Sequence, residues 1–202
     1  MIQEELQTLK QNQNWDLVPK PDDVKPISCK WVFEVKMQPD GSIERYKARL
    51  VAREFSQQCG LDYDETFSPV VNIIIVRVLI ALAVSKAWKV WQMDVINAFL
   101  YGEVNQEIYM EQTKGLAIKE KHEFVCKLRK TLYGLKQAPT TWYEKIVKFL
   151  VQSGYTVTPA NSKLFIKKHE GKLTMVLVYV DNLIITGDDE TEIQRTRDNL
   201  SI

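Results

Sequence analysis

The stretch Val176-Leu177-Val178-Tyr179-Val180-Asp181-Asn182-Leu183-Ile184-Ile185 places two polar residues inside an apolar run. Its β-branched and aromatic residues favour strands, while Asp181-Asn182 is typical of a tight turn. A carboxylate in such a run is costly to bury unless it is paired or binds a cation. The stretch therefore predicts two strands joined at a turn that carries an acidic side chain.

A second acid ends another strand. Residues 88–95 alternate between apolar and polar side chains and carry Asp94 near their end. Each acid alone is more often structural than catalytic, because Asp frequently forms turns. If the two strands are neighbours, Asp94 and Asp181 meet at one edge of a sheet, where their oxygens suit two Mg²⁺ ions. Periodicity alone does not show that the strands pair.

The remaining pattern mixes helices and strands. Helices are predicted over residues 1–10, from Asn72 to about Ala87, from Pro139 to about Ser153, and from near Asp188 onward. Hairpins are predicted over 29–36 with 43–52 and over 163–168 with 172–180. The helix after Asn72 lies in the longest apolar stretch, which Arg77 interrupts, and is expected to be buried. Without βαβ regularity, the pattern predicts the α+β class.

One predicted strand has a basic face. Arg45, Lys47 and Arg49 alternate along residues 43–52, and Arg53 follows. Side chains two residues apart lie on the same side of a strand. Spacing alone favours a solvent-exposed strand face over a binding site.

Composition narrows the class of protein. The chain has 202 residues, of which 45% are hydrophobic, and a formal net charge of +1. Such a charge gives no overall electrostatic attraction for nucleic acid, so any binding must use a local patch. Three separated cysteines and the lack of a signal peptide predict a reduced, intracellular and cytoplasmic protein. The longest apolar stretch is too interrupted to cross a membrane, so no membrane partner is expected.

Five blocks, in order, resemble the reverse transcriptases of copia-type LTR retrotransposons. The blocks are residues 45–53, 64–70, 94–100, 133–139 with Trp142-Tyr143, and 179–182 with 184–187. The resemblance implies RNA-directed DNA polymerase activity, a nucleotidyltransferase reaction that uses an RNA template, a DNA primer and dNTPs. It also identifies the chain as similar to a fragment of a transposable element's Pol polyprotein.

The same resemblance implies a right-hand polymerase fold. An N-terminal helix and connector would occupy residues 1–28, and the fingers would occupy 29–87. A palm with an antiparallel sheet would span 88–202, with an inserted fingers segment at about 111–138. The thumb is expected to be absent and the palm truncated. The host, the template preference and the oligomeric state are not indicated.

The resemblance also assigns roles to individual residues. The expected ligands of Mg²⁺ or Mn²⁺ are the carboxylates of Asp94 and Asp181 and the backbone carbonyl of Val95. The expected nucleotide-binding residues are Lys47, Arg49, Phe99 and Gln137. Either Lys47 or Arg49 could contact the triphosphate. Phe99 would lie under the sugar, or it is simply a core aromatic residue.

Asn182 departs from the family pattern, which has a second Asp at this position. Asn is neutral and offers one carbonyl oxygen and one amide donor, so the catalytic set Asp94, Asp181 and Asn182 lacks one anionic ligand. Glu54, Ile96 and Thr140-Thr141 are smaller departures. We therefore expect severe impairment of this copy. The alternatives are an active polymerase core, a non-catalytic module that binds nucleic acid or protein, and a non-functional relic.

Overall fold

The computed structural model describes residues 1–64, 72–95, 97–113, 123–159 and 161–200. Four helices lie in these ranges: α1 (Ile2–Gln11), α2 (Ile73–Ser85), α3 (Ala138–Gln152) and α4 (Glu190–Leu200). The strands are β1 (Trp15–Pro19), β2 (Cys29–Met37), β3 (Ile43–Ala52), β4 (Val90–Asp94), β5 (Tyr109–Met110), β6 (Phe124–Leu128), β7 (Thr156–Thr158), β8 (Asn161–His169), β9 (Lys172–Tyr179) and β10 (Asn182–Gly187). These helices and antiparallel sheets confirm the α+β class.

The chain divides into two compact units. The first unit comprises Met1–Phe67 and Phe99–Thr141, and the second comprises Ser68–Ala98 and Trp142–Ile202. Residues 65–70 of the second sequence block and Ile96 of the third lie outside the described residues, as does the 114–122 part of the expected inserted segment. No helix in the described ranges is long and apolar enough to cross a membrane.

The first unit contains the hairpin β2-β3 and the three-stranded sheet β1-β6-β5. Alternation along β3 buries Ala48, Leu50 and Ala52, as expected for a strand with one face on a core. Leu50 and Leu9 of α1 belong to the same buried cluster. The first helix and the first hairpin therefore lie where the sequence predicted them.

Gly134 makes a close backbone approach in the first unit. Its φ is +83°, and a Cβ added there would overlap the carbonyl oxygen of Ala52. The adjacent Tyr133 carbonyl accepts a hydrogen bond of 2.8 Å from the Ala52 N–H. Only glycine meets both demands, because it has no Cβ and adopts positive φ readily. The residue thus fixes the segment after Thr131 against the end of β3.

The second unit is built on an antiparallel sheet of five strands in the order β4-β10-β9-β8-β7. The hairpin β8-β9 turns at Glu170-Gly171, both with positive φ. From α2, Leu79 packs against Met175 and Leu177 of β9. This arrangement confirms the predicted hairpin of residues 163–180 and puts the strand that ends in Asp94 at one edge of the sheet.

The expectation of a buried apolar helix is wrong for α2. Its start is as predicted, since the Asn72 side chain caps the helix by accepting a hydrogen bond of 2.9 Å from the Ile74 N–H. However, Ile74, Val78 and Val84 are 58%, 59% and 73% exposed. Only one side of the helix packs against other elements. An apolar composition does not ensure that another element covers the opposite side.

Candidate active site

Asp94 and Asn182 face each other across the paired strands β4 and β10. The register sets Asn182 opposite Asp94, and the Val95 N–H donates to the carbonyl of Asp181 at 3.0 Å. This bonding pattern makes Asp94–Asn182 a non-hydrogen-bonded pair, the class with the shorter spacing of about 4.5 Å between Cα atoms. The two side chains therefore lie close together on one face of the sheet, and Asp181 precedes Asn182 directly.

The turn before β10 lies one residue earlier than predicted. Tyr179 pairs with Asn182, so the turn residues are Val180-Asp181 rather than Asp181-Asn182. Val180 has a φ of 55°, which is rare for a β-branched residue and is strained. The indole N–H of the buried Trp142 donates to the Val180 carbonyl at 2.9 Å. This bond holds the strained turn, and with it the backbone of Asp181, in place.

The Asn182 side chain connects two polar neighbours. Its amide nitrogen donates to Oδ1 of Asp181 at 3.1 Å, and its Oδ1 accepts from Nε2 of Gln92 at 3.0 Å. Gln92 precedes Asp94 by two residues on β4 and therefore shares its face of the sheet. Asn182 thus has partners for both ends of its amide.

Oxygen-bearing groups of several kinds lie at this end of the β4–β10 pair. They comprise the carboxylates of Asp94 and Asp181, the amide oxygen of Asn182 and the backbone carbonyl of Val95. The Val95 carbonyl accepts from the Ala98 N–H at 3.2 Å, which leaves it a second lone pair. Oxygen donors suit Mg²⁺, so these are the residues of this region that could hold a divalent cation. Among the described residues no group of three or more His, Cys, Asp or Glu side chains forms a candidate metal site.

Arg49 and Phe99, two of the expected nucleotide-binding residues, both contact Tyr133 in the first unit. The guanidinium of Arg49 lies 5.2 Å from the centre of the Tyr133 ring. Phe99 meets the same ring edge-on, with 5.7 Å between ring centres. Arg49 also forms an ion pair of 3.0 Å with Glu34. Its guanidinium is therefore held on two sides by groups of the protein itself.

Lys47 is less constrained than Arg49. It lies opposite Glu34 in the β2–β3 register, and within the described part of the chain no ion pair holds it. Partial burial lowers the pKa of Lys47, as do the charges of Arg49 and Arg45, while Glu5 and Glu34 act in the opposite direction. An incompletely solvated ammonium beside other cations would gain from an anionic ligand.

Gln137 lies in a separate network of the first unit. The residue is buried, its Oε1 accepts from Nε2 of Gln57 at 2.9 Å, and its own Nε2 donates to the carbonyl of Asp62 at 2.9 Å. Gln57 also accepts from the Lys136 N–H at 2.9 Å. Sequence patterns did not indicate Gln57 or Gln92. For Gln92, its two-residue spacing from Asp94 was a usable signal, whereas Gln57 offers none.

Comparison with known proteins places these residues in a family. Residues 12–202 match the family described as reverse transcriptase (RNA-dependent DNA polymerase). The chain is 45% identical over 191 residues to the Retrovirus-related Pol polyprotein from transposon RE1 of Arabidopsis thaliana. It is 42% identical over 201 residues to the corresponding polyprotein from transposon TNT 1-94 of Nicotiana tabacum.

These alignments cover 94% and 99% of this chain but only 13% and 15% of the relatives' lengths. The chain thus spans a small part of the polyproteins it matches. The resemblance to copia-type retrotransposon Pol proteins, first indicated by the five ordered blocks, is confirmed over nearly the whole chain. The chain belongs to the reverse transcriptase (RNA-dependent DNA polymerase) family.

Proposed function

We propose that this chain is the fingers-and-palm part of a retrotransposon reverse transcriptase whose metal-binding set is weakened by Asn182. The family reaction is template-directed DNA synthesis from RNA by two-metal nucleotidyl transfer. The observation that carries the proposal is the position of Asn182, opposite Asp94 and hydrogen-bonded to Asp181. A neutral amide thus stands where a third carboxylate would complete the set.

Asp94 and Asp181 would hold the divalent ions, with the Val95 carbonyl as a further ligand. The ions would supply activation of the primer hydroxyl and neutralise charge on the triphosphate. Two carboxylates offset less of the charge of two divalent ions than three do, so weaker metal binding follows. The Asn182 amide donates to one Asp181 oxygen, and a metal that uses this oxygen must compete with that bond.

For the triphosphate we propose Lys47 as the direct contact and Arg49 as a supporting residue. Arg49 is already paired with Glu34 and stacked on Tyr133. Lys47 lies on the same side of β3, two residues away, and its lowered pKa reflects burial and nearby cations. Phosphate oxygens would relieve that unfavourable environment. Phe99 and Gln137 are proposed to bind the nucleotide's sugar region.

The two units suggest how the parts of the polymerase are distributed. We propose that the second unit, with Asp94 and Asp181, is the palm, and that the first unit contains the fingers. The inclusion of β5 and β6 in the first unit supports the idea that a fingers segment follows the first catalytic strand. RNA template, DNA primer and dNTP are the proposed partners.

Primer extension tests the proposal. A primed RNA template is incubated with dNTPs and Mg²⁺ or Mn²⁺, using the unchanged chain, Asn182→Asp and Asp94→Ala. We expect extension by Asn182→Asp that exceeds that of the unchanged chain by at least about tenfold, and none by Asp94→Ala. Asn182→Ala is a matched control, because it removes the amide without adding a carboxylate.

Three results would contradict the proposal. Full activity of the unchanged chain, lost in Asp94→Ala, would show that Asn182 is an adequate ligand. Absence of extension by every variant, together with template binding that survives Asp94→Ala, would favour a non-catalytic binding module. Absence of both extension and binding would favour a relic without function.

A further inference from the structure

The loop between Gln57 and Tyr63 is attached to the segment Lys136-Gln137 near both of its ends. At one point the buried Gln57 side chain bonds the Lys136 N–H and the Gln137 side chain. At the other, Nζ of Lys136 donates to the Tyr63 hydroxyl at 2.9 Å and lies 4.6 Å from the centre of the Tyr63 ring. The loop and the segment are therefore joined from both ends of the loop.

The loop itself is closed by local hydrogen bonds. The Gln58 N–H donates to Oδ2 of Asp62 at 2.7 Å, and the Asp62 N–H donates to the Gln58 carbonyl at 2.9 Å. These bonds fix the backbone of Asp62, whose carbonyl accepts from Gln137. The acceptor that Gln137 uses is thus held in place rather than free to follow the side chain.

The hydrogen bonds also fix the orientation of both amides. A backbone N–H can only donate, so the Gln57 atom that meets the Lys136 N–H must be its oxygen. The Gln57 nitrogen therefore faces Gln137, whose oxygen must accept. The Gln137 nitrogen then donates to the Asp62 carbonyl, which can only accept. The chain of hydrogen bonds begins at a backbone donor, the Lys136 N–H, and ends at a backbone acceptor, the Asp62 carbonyl. Only one orientation of the two side-chain amides satisfies every bond between them.

An amide nitrogen carries two hydrogens, and the Asp62 carbonyl takes one of those on Gln137. Gln137 thus retains one N–H for a further partner. If the Gln137 amide were rotated by 180°, its oxygen would face the Asp62 carbonyl oxygen. Two facing carbonyl oxygens without a hydrogen between them are unfavourable. Rotation would also bring the Gln137 nitrogen against the Gln57 nitrogen, so Gln57 and the Asp62 carbonyl together exclude the rotated state.

We propose that Gln57 is a positioning residue for nucleotide binding, which holds the Gln137 amide so that its nitrogen is presented as a hydrogen-bond donor to an oxygen of the incoming nucleotide. The inference rests on the proposed function, which assigns Gln137 to the nucleotide. It goes beyond that function because Gln57 lies outside the blocks that identify the family.

The test uses Gln57→Glu. This variant keeps the size of the side chain and an oxygen for the Lys136 N–H, but it has no N–H to donate to Gln137. The matched control is Gln58→Glu, which adds the same charge at the adjacent, exposed position. Both changes are made in the full chain carrying Asn182→Asp, so that extension of the primed template can be followed.

The first readout is hydrogen exchange of side-chain amides by ¹H–¹⁵N NMR, which needs no activity. We expect slow exchange of the Gln57 and Gln137 amides in the parent. In Gln57→Glu, exchange at Gln137 should accelerate at least about tenfold, while backbone amides of β3 and β6 stay protected. Fast exchange at Gln137 in the parent, or no change in Gln57→Glu, would overturn the hydrogen-bond relay.

The second readout separates KM from kcat for a dNTP. Gln57→Glu should raise KM for the dNTP about tenfold, as expected for the loss of about one oriented hydrogen bond, and kcat should change less. Gln58→Glu should leave both near the parent values. Equal KM values for Gln57→Glu and Gln58→Glu would overturn the positioning role even if exchange at Gln137 changes.

The two readouts keep this inference distinct from the proposed function. If the Asn182→Asp chain neither extends a primer nor binds a dNTP, the proposed function fails and the nucleotide role of Gln57 fails with it. The exchange measurement then still decides whether Gln57 orients Gln137. If extension occurs and only the Gln57 prediction fails, the proposed function stands without the positioning residue.

Discussion

Asn182 occupies the position directly opposite Asp94 in the β4–β10 pair, and its amide donates to Asp181 at 3.1 Å. An Asp in the same place would face one carboxylate and adjoin another. Like charges directly opposite on neighbouring strands are destabilising, and the hydrogen bond to Asp181 would be lost. Without a bound cation, the amide at position 182 is therefore more stabilising than a carboxylate. A carboxylate there would be favourable only when a cation is bound.

The first prediction concerns stability and metal dependence of Asn182→Asp. In EDTA the variant should be less stable than the unchanged chain by about 1 kcal/mol, from repulsion and the lost hydrogen bond. Saturating Mg²⁺ should restore this loss, because a ligand of the folded state stabilises it. Thermal unfolding with and without Mg²⁺ measures both effects. The double variant Asp94→Asn with Asn182→Asp is the control, since it keeps the total charge. A variant that is as stable in EDTA as the unchanged chain would contradict this view.

The second prediction concerns the strained turn. Trp142→Phe keeps an aromatic ring but removes the N–H that donates to the Val180 carbonyl. The loss should lower the free energy of unfolding by about 1 to 2 kcal/mol and should reduce the Mg²⁺-dependent stabilisation of Asn182→Asp. Urea denaturation gives the first quantity and thermal shifts give the second. Trp88→Phe, the same exchange at a half-buried tryptophan of the α2 cluster, should leave the Mg²⁺ effect unchanged. An equal loss of the Mg²⁺ effect in both variants would argue against a role of Trp142 at the turn.

A third prediction compares two glycines with nearly identical φ angles. Gly41 and Gly134 have φ values of +84° and +83°, but a Cβ at Gly41 has no atom within 4 Å, whereas one at Gly134 overlaps Ala52. Gly41→Ala should cost about 1 kcal/mol for the conformation alone. Gly134→Ala should cost about 3 kcal/mol or more, because steric overlap is added. Urea denaturation of both variants measures the difference, and similar costs would show that the backbone can move apart there.

Lys47 and Arg49 provide a fourth prediction. Lys47→Gln should weaken binding of a dNTP with Mg²⁺ about tenfold and reduce the salt dependence of that binding. Arg49→Gln should affect binding less and stability more, since it removes one of the two ion pairs of Glu34, the other being with Lys36, and takes the cation away from the Tyr133 ring. Binding at several salt concentrations, together with urea denaturation, separates the two residues. A larger binding defect in Arg49→Gln would reverse the assignment.

The fifth prediction is a pH effect of Tyr155, which is buried and shares a hydrogen bond of 2.7 Å with Thr196. Burial raises the pKa of Tyr155 to about 12, above the value of about 10 in an unfolded chain. The stability contributed by the neutral hydroxyl is therefore fully present below pH 10 and is lost as the pH rises from about 10 to about 12. Tyr155→Phe should show a smaller fall of the free energy of unfolding across this range.

Comparison with the variant cancels other groups that titrate there, such as Cys126, whose pKa burial also raises to about 12. Urea denaturation at steps of pH gives both curves. Parallel curves for the two proteins would show that Tyr155 ionises as readily in the folded chain as in the unfolded one.

Elements with local signals could be predicted from the sequence. The helix α3 and the hairpin β8-β9 follow from an apolar pattern bounded by proline or glycine, and the Asn72 cap needs only two residues of separation. Reliance on local signals also puts the predicted turn before β10 one residue too late. Asp181-Asn182 has good turn chemistry, but the pairing of Tyr179 with Asn182 sets the register, and the turn accepts a valine at positive φ instead.

Contacts between distant residues could not be predicted in this way. The bond between Gln57 and Gln137 joins residues 80 positions apart, and the bond from Trp142 to Val180 spans 38. Neither has a periodic signature, because each depends on how separate elements pack. The exposure of α2 was missed for a related reason, since composition reports how apolar a helix is but not how many surfaces contact it.

The hydrogen bonds of Asn182 have a consequence for the history of this sequence. Asparagine and aspartate codons differ by a single base, and an amide that is satisfied on both sides lets the scaffold persist while the carboxylate is missing. Under the proposed function, in which Asn182 impairs the copy, the chain keeps the framework that a reverting mutation would need. Loss of Gly134, by contrast, would remove the framework itself, and no later change at position 182 could recover it.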